Sequence, residues 1–167
     1  DLGNKSYERG INYNSNGKLI LDNVKVVGTN VTYALNLPGL SDNCEVEINN
    51  CEFKGIIALN VWGEKAVINV NNSILTSVDN STAENYAAIN LNKDAEGTVV
   101  NVNGGKIIAK NENGELSAAS NNATVSGKIN ISETTDVTGY ELFPVATVTY
   151  TTTDDYYTCT TLQEAID

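Results

Sequence analysis

Apolar and polar residues alternate along this chain in short bursts, and the bursts recur. One burst reads small, apolar, Asn, apolar. It occurs as Gly10-Ile11-Asn12-Tyr13, Ala34-Leu35-Asn36-Leu37, Ala58-Leu59-Asn60-Val61 and Ala88-Ile89-Asn90-Leu91. A second burst follows each copy and reads apolar, polar (Ile20 in the first copy), apolar, then Asn or Asp, then Asn or Gly. Its copies are Leu19-Ile20-Leu21-Asp22-Asn23, Val46-Glu47-Ile48-Asn49-Asn50, Ile68-Asn69-Val70-Asn71-Asn72 and Val100-Asn101-Val102-Asn103-Gly104, with a frayed fifth at Ile129-Asn130-Ile131. Strict alternation is the strand period. Two short strands per repeat, spaced by 22 to 32 residues, leave no room for crossover helices. The arrangement that buries such strands is a stack in which each repeat lies on the one before.

That stacking predicts an all-β fold, a right-handed parallel β-helix (β-solenoid) of about five coils over residues 1–140. Its inner rows would be Leu19, Val46, Ile68, Val100, Ile129 and Leu21, Ile48, Val70, Val102, Ile131. After a bend would come Val26, Phe53, Leu75, Ile107, and from the first burst Ile11, Leu35, Leu59, Ile89 and Tyr13, Leu37, Val61, Leu91. Asn23, Asn50, Asn72 and Gly104 share the bend, where left-handed backbone is needed and only Gly and Asn adopt it readily. The row before it, Asp22, Asn49, Asn71, Asn103, is placed to hydrogen-bond from repeat to repeat. The polar stretches 76–86 and 109–116 are expected as projecting loops. Residues 141–167 read as a connecting strand or linker, followed by a short C-terminal helix that caps this domain or starts a following module, in which Thr160 or Thr161 caps and Leu162, Ala165 and Ile166 form an apolar face.

Composition sharpens this picture. Asn occurs 25 times among 167 residues, and the charged fraction is 19%, below the usual quarter. Net charge is −11, with Arg9 the single arginine. Such a surface repels phosphate backbones and anionic lipids, so no nucleic-acid partner is expected. There is no apolar run near the length of a membrane span, so no membrane insertion is expected either. Three cysteines stand without a C-x-x-C pair and there is no histidine, which argues against zinc, other metals or a nucleophilic triad. Cys44 and Cys51 read as buried thiols, with a bridge between them as the alternative.

The rows resemble those of the pectin-lyase-like right-handed β-helix superfamily over about residues 7–135. The tail Tyr156-Tyr157-Thr158-Cys159-Thr160-Thr161-Leu162-Gln163-Glu164-Ala165-Ile166-Asp167 resembles the start of modules in large bacterial surface proteins. The resemblance implies a non-catalytic structural or adhesive module of a secreted or surface-anchored bacterial protein. Its partners would be host glycan or surface protein and neighbouring modules of the same chain, and no cofactor is implied. The alternative is a fragment of a carbohydrate-active enzyme, a polysaccharide lyase or glycoside hydrolase on the same fold.

The residues themselves argue for the first reading. Enzymes that cleave glycosides need converging carboxylates, and the rows that would carry them hold Asn. Glu45 and Glu47 flank one residue of one strand; Asp94-Ala95-Glu96 and Asp154-Asp155 lack the spacing of a calcium loop; Arg9 reads as a rim charge. Lys25 and Glu52, at equivalent positions of adjacent repeats, read as an exposed ion pair. The candidate ligand-binding residues are Asn36, Asn60 and Asn90, expected on the outer face beside Ala34, Ala58 and Ala88, with Trp62 as an apolar platform for a sugar ring.

Overall fold

The computed structural model describes residues 7–78, 87–111, 114–115, 117–121, 127–142, 146–149 and 156–159. The first repeat supplies β1 (Tyr7–Asn12), β2 (Lys18–Asp22) and β3 (Lys25–Val27). The second supplies β4 (Val31–Leu37), β5 (Glu45–Asn49) and β6 (Glu52–Gly55). The third holds β7 (Ile57–Val61) and β8 (Val67–Ser77), and the fourth β9 (Ala87–Leu91) and β10 (Val99–Ile108). A two-strand antiparallel ribbon follows, β11 (Lys110–Asn111) with β12 (Gly114–Glu115). The fifth repeat is β13 (Ser117–Asn121), β14 (Lys128–Ile131) and β15 (Asp136–Thr138). Then come β16 (Tyr140–Leu142) and an antiparallel pair, β17 (Ala146–Thr149) with β18 (Tyr156–Cys159).

The fold is all-β and its two large sheets are parallel. One sheet runs β1-β4-β7-β9-β13-β16. The other runs β14-β10-β8-β5-β2, and β3, β6 and β15 extend it past the bend. Strand neighbours are therefore the same element of successive repeats. The register is the one the sequence predicts: Leu19 pairs with Val46, Val46 with Ile68, Ile68 with Val100 and Val100 with Ile129. In the other sheet Ile11 pairs with Leu35, Leu35 with Leu59 and Leu59 with Ile89.

The core lies between the sheets. Leu35, Leu59, Ile89, Val46, Ile48, Ile68, Val70, Phe53, Leu75 and Ile107 are fully buried. Burying each such side chain is worth about 1.5–3 kcal/mol. The flanking repeats cover their apolar residues less completely: Ile11, Leu19, Leu21 and Val26 at one end and Ile129, Ile131 and Val137 at the other are partly buried against the same core.

The bend takes the predicted conformation. Asn23, Asn50 and Asn72 have φ of 54°, 52° and 48°, and Gly104 has 72°. Gly105, at φ 79°, sits so close to Ser73 backbone that a Cβ there would run into it.

Three expectations change. The stretch from Thr76 is not all loop, because β8 continues to Ser77, which pairs with Gly55 and donates its hydroxyl to Ile56 O at 2.7 Å. The fifth repeat contributes β13 to the first sheet, where Ala119 pairs with Ile89. The expected boundary at 140/141 falls inside β16, whose Tyr140 and Leu142 pair with Ser117 and Ser120. Among the described residues there is no α-helix, only a 3₁₀ turn at Gly39–Ser41. The expected C-terminal helix falls on residues 160–167, outside the described residues.

Candidate functional site

The expected outward strip is closed. Asn36, Asn60 and Asn90 are 1%, 1% and 3% exposed, and Ala34, Ala58 and Ala88 are fully buried. Strand alternation alone puts these residues on the face opposite Leu35 and Leu37. The ladder, however, is irregular here: Tyr33 pairs with Ile57 and Leu35 with Leu59, skipping the Ala34–Ala58 position. At the matching position of the first repeat, a Cβ on Gly10 would fall 2.5 Å from Val26 Cγ1. This small-residue row therefore approaches the other sheet, which explains why only Gly and Ala fill it.

The amides are engaged with one another. Asn36 Nδ2 donates to Asn12 Oδ1 at 2.7 Å, Asn60 to Asn36 at 2.8 Å and Asn90 to Asn60 at 2.8 Å. Trp62, just past β7, is half-buried and its backbone N–H donates to Leu37 O at 2.8 Å. No open array of amides stands beside it, and a sugar cannot reach Asn60 without displacing what covers the sheet.

The longer sheet carries two further ladders on its more accessible face. Asn71 donates to Asn49 at 2.9 Å and Asn103 to Asn71 at 3.1 Å. Asn101 donates to Asn69 at 3.0 Å and Asn130 to Asn101 at 2.9 Å. Asn50, in the bend row beside the first ladder, donates to the carboxylate of Asp22 at 3.4 Å. In all of these bonds, and in the buried ladder, the donor belongs to the later repeat. Aligned amide dipoles polarise one another, so the bonds reinforce along the stack. The Asn69 ladder escaped the sequence reading, although Asn centred between two apolar residues in three successive second bursts was its signal.

Around the ladders lie exposed Ile20 and Val67 and ion pairs between repeats. Lys18 pairs with Glu47 at 3.3 Å, Lys106 with Asp136 at 3.4 Å, and Lys25 with Glu52 as expected. Glu47 is thereby drawn to a lysine, while Glu45 stays exposed. Arg9 is half-exposed and pairs with its neighbour Glu8 at 2.9 Å. Asp94 and Glu96 are exposed on either side of buried Ala95; Asp154 and Asp155 lie outside the described residues. Among the described residues no three His, Cys, Asp or Glu side chains group as a metal site, and every buried side-chain nitrogen and oxygen has a partner.

Cys44 and Cys51 are buried free thiols. Burial pushes the Cys44 thiol up, with Asp42 adding to the rise and a backbone hydrogen bond opposing it. Cys51 works inside the bend. Its Sγ accepts from Val24 N at 3.4 Å and lies 3.2 Å from Asn49 O, while its own N–H donates to Ser73 Oγ at 3.0 Å. Both thiols serve the interior.

No family model, curated protein or solved structure matches this chain.

Proposed function

We propose that this chain is a right-handed parallel β-helix of about five windings, acting as a non-catalytic structural or adhesive module of a secreted or surface-anchored bacterial protein. The observation that carries the architecture is the in-register pairing of like residues from successive repeats in both sheets. Closing each repeat into a winding is the simplest path that joins the two registers. Polar bonds between repeats engage the Asn rows and pair Glu47 with Lys18. A stack braced in this way suits a stiff spacer that presents faces and corners to host glycan or protein, with further modules of the same chain as neighbours.

The alternative, a polysaccharide lyase or glycoside hydrolase, needs acids that converge on a bond. The pairing of Glu47 with Lys18 favours the first reading. The test has two arms. The chain is incubated with neutral and uronate polysaccharides while reducing ends and unsaturated products are measured, and it is applied to arrays of host glycans and matrix proteins. No turnover with binding on an array is the expected result. Turnover above buffer overturns the reading. Absence of both removes adhesion and leaves the structural role.

A further inference from the structure

In an Asn–Gly pair the glycine nitrogen can attack the preceding side-chain amide, because no Cβ hinders its approach. The sequence holds three such pairs, Asn16–Gly17, Asn103–Gly104 and Asn113–Gly114; Asn113 lies outside the described residues. The other two stand in opposite circumstances.

Asn16 lies in the short loop between β1 and β2, and both it and Gly17 are exposed. Among the described residues its side chain has no hydrogen-bond partner. Gly17 N–H donates only to Ser15 Oγ, two residues away, at 3.3 Å, so donor and acceptor move together with the loop. There is room around Gly17: a Cβ there would meet nothing nearer than Tyr13 Oη at 3.4 Å.

Asn103 is exposed, but its backbone and its amide are both held. It lies inside β10 and pairs in register with Asn71. Its Nδ2 donates to Asn71 Oδ1 at 3.1 Å. Gly104 is buried, its φ is 72°, and its N–H donates to Ser132 Oγ of the next repeat at 3.2 Å. Ring closure at Asn103 requires the strand to open first.

We propose that Asn16 is a site of spontaneous succinimide-mediated modification, and that the amide ladder shields Asn103 from the same reaction. The deprotonated Gly17 nitrogen attacks Asn16 Cγ. A new C–N bond forms, the bond from Cγ to Nδ2 breaks, and ammonia leaves with the proton. Water then opens the ring at one of its two carbonyls, giving aspartate or isoaspartate. The balance is amide plus water to carboxylic acid plus ammonia, with no redox change. The product adds one negative charge to a chain already at −11. In the isoaspartate form it also adds a methylene to the backbone just before β2.

The intact folded chain is aged at neutral and mildly alkaline pH, digested, and mapped by mass spectrometry with fragmentation that separates aspartate from isoaspartate. Asn16 should convert faster than Asn103 by at least about tenfold, the rate factor for roughly one hydrogen bond that must open first. In urea the two rates should converge, since both pairs then lack structure. Gly17→Ala should slow conversion at Asn16 and leave the melting transition in place. Equal rates at both sites in the folded chain would overturn the proposal. So would an unconverted Asn16 over a period in which the urea-unfolded chain is converted, or an unchanged Asn16 rate in a folded Gly17→Ala chain.

Discussion

The two large sheets use the same rung, an Asn amide donating to the Asn of the repeat before, in opposite surroundings. In the six-stranded sheet all five residues of β7 are buried, so both of its faces are covered. In the longer sheet β5 and β10 alternate buried with accessible positions, and Asn101 and Asn103 meet water. A buried amide that loses its partner bears the full cost of desolvation, whereas an accessible one exchanges its partner for water. The buried ladder is therefore a device for register. A one-residue slip would set Asn60 against Leu or Ile and leave amides unpaired in the core. The accessible ladders add bonds between repeats that water can replace, so their loss should cost less.

Urea denaturation of variants can break or sharpen this contrast. The largest effect is expected at the apolar wall both sheets share: Leu59→Ala should cost about 2–5 kcal/mol, the range for a buried leucine whose surroundings cannot collapse. A loss below the cost of an exposed leucine would mean that the sheets do not enclose one core. Next comes Asn60→Ala. It removes the acceptor of Asn90 Nδ2 and the donor to Asn36 Oδ1 in a buried row, so about 2–3 kcal/mol should be lost. Smallest is Asn101→Ala. It breaks two rungs as well, yet water can replace both, so the loss should stay near or below about 1 kcal/mol. Equal losses for Asn60→Ala and Asn101→Ala would erase the distinction between the two sheets.

The bend was legible because a single residue must take a left-handed backbone, and the sequence holds Asn or Gly in that row in four repeats. The inner rows were legible because alternation and repeat spacing agree. β13 was harder to see. Its core residue is Ala119, too small to mark a strand face. The end of β8 was hidden for a related reason. Thr76 and Ser77 look like loop residues, and only the neighbouring strand, through Gly55 and Ile56 O, gives them strand partners.

The candidate site shows the limit most clearly. The sequence placed Asn36, Asn60 and Asn90 in one row, and in one row they lie. It could not place that row relative to water. Alternation states which residues share a face, but whatever covers that face comes from elsewhere in the chain.

By itself, then, the sequence determined the strands of the two recurring bursts, the parallel stacking of repeats, the inner rows and the left-handed bend, because each rests on local backbone preference or on a spacing that recurs. Tertiary structure alone decided that Gly10 and the Ala34 row approach the opposite sheet, that one Asn ladder is sealed and two are wet, and that Asn103 is locked while Asn16 is free. Burial is a property of what packs against a residue, and no residue carries that information in its own neighbourhood.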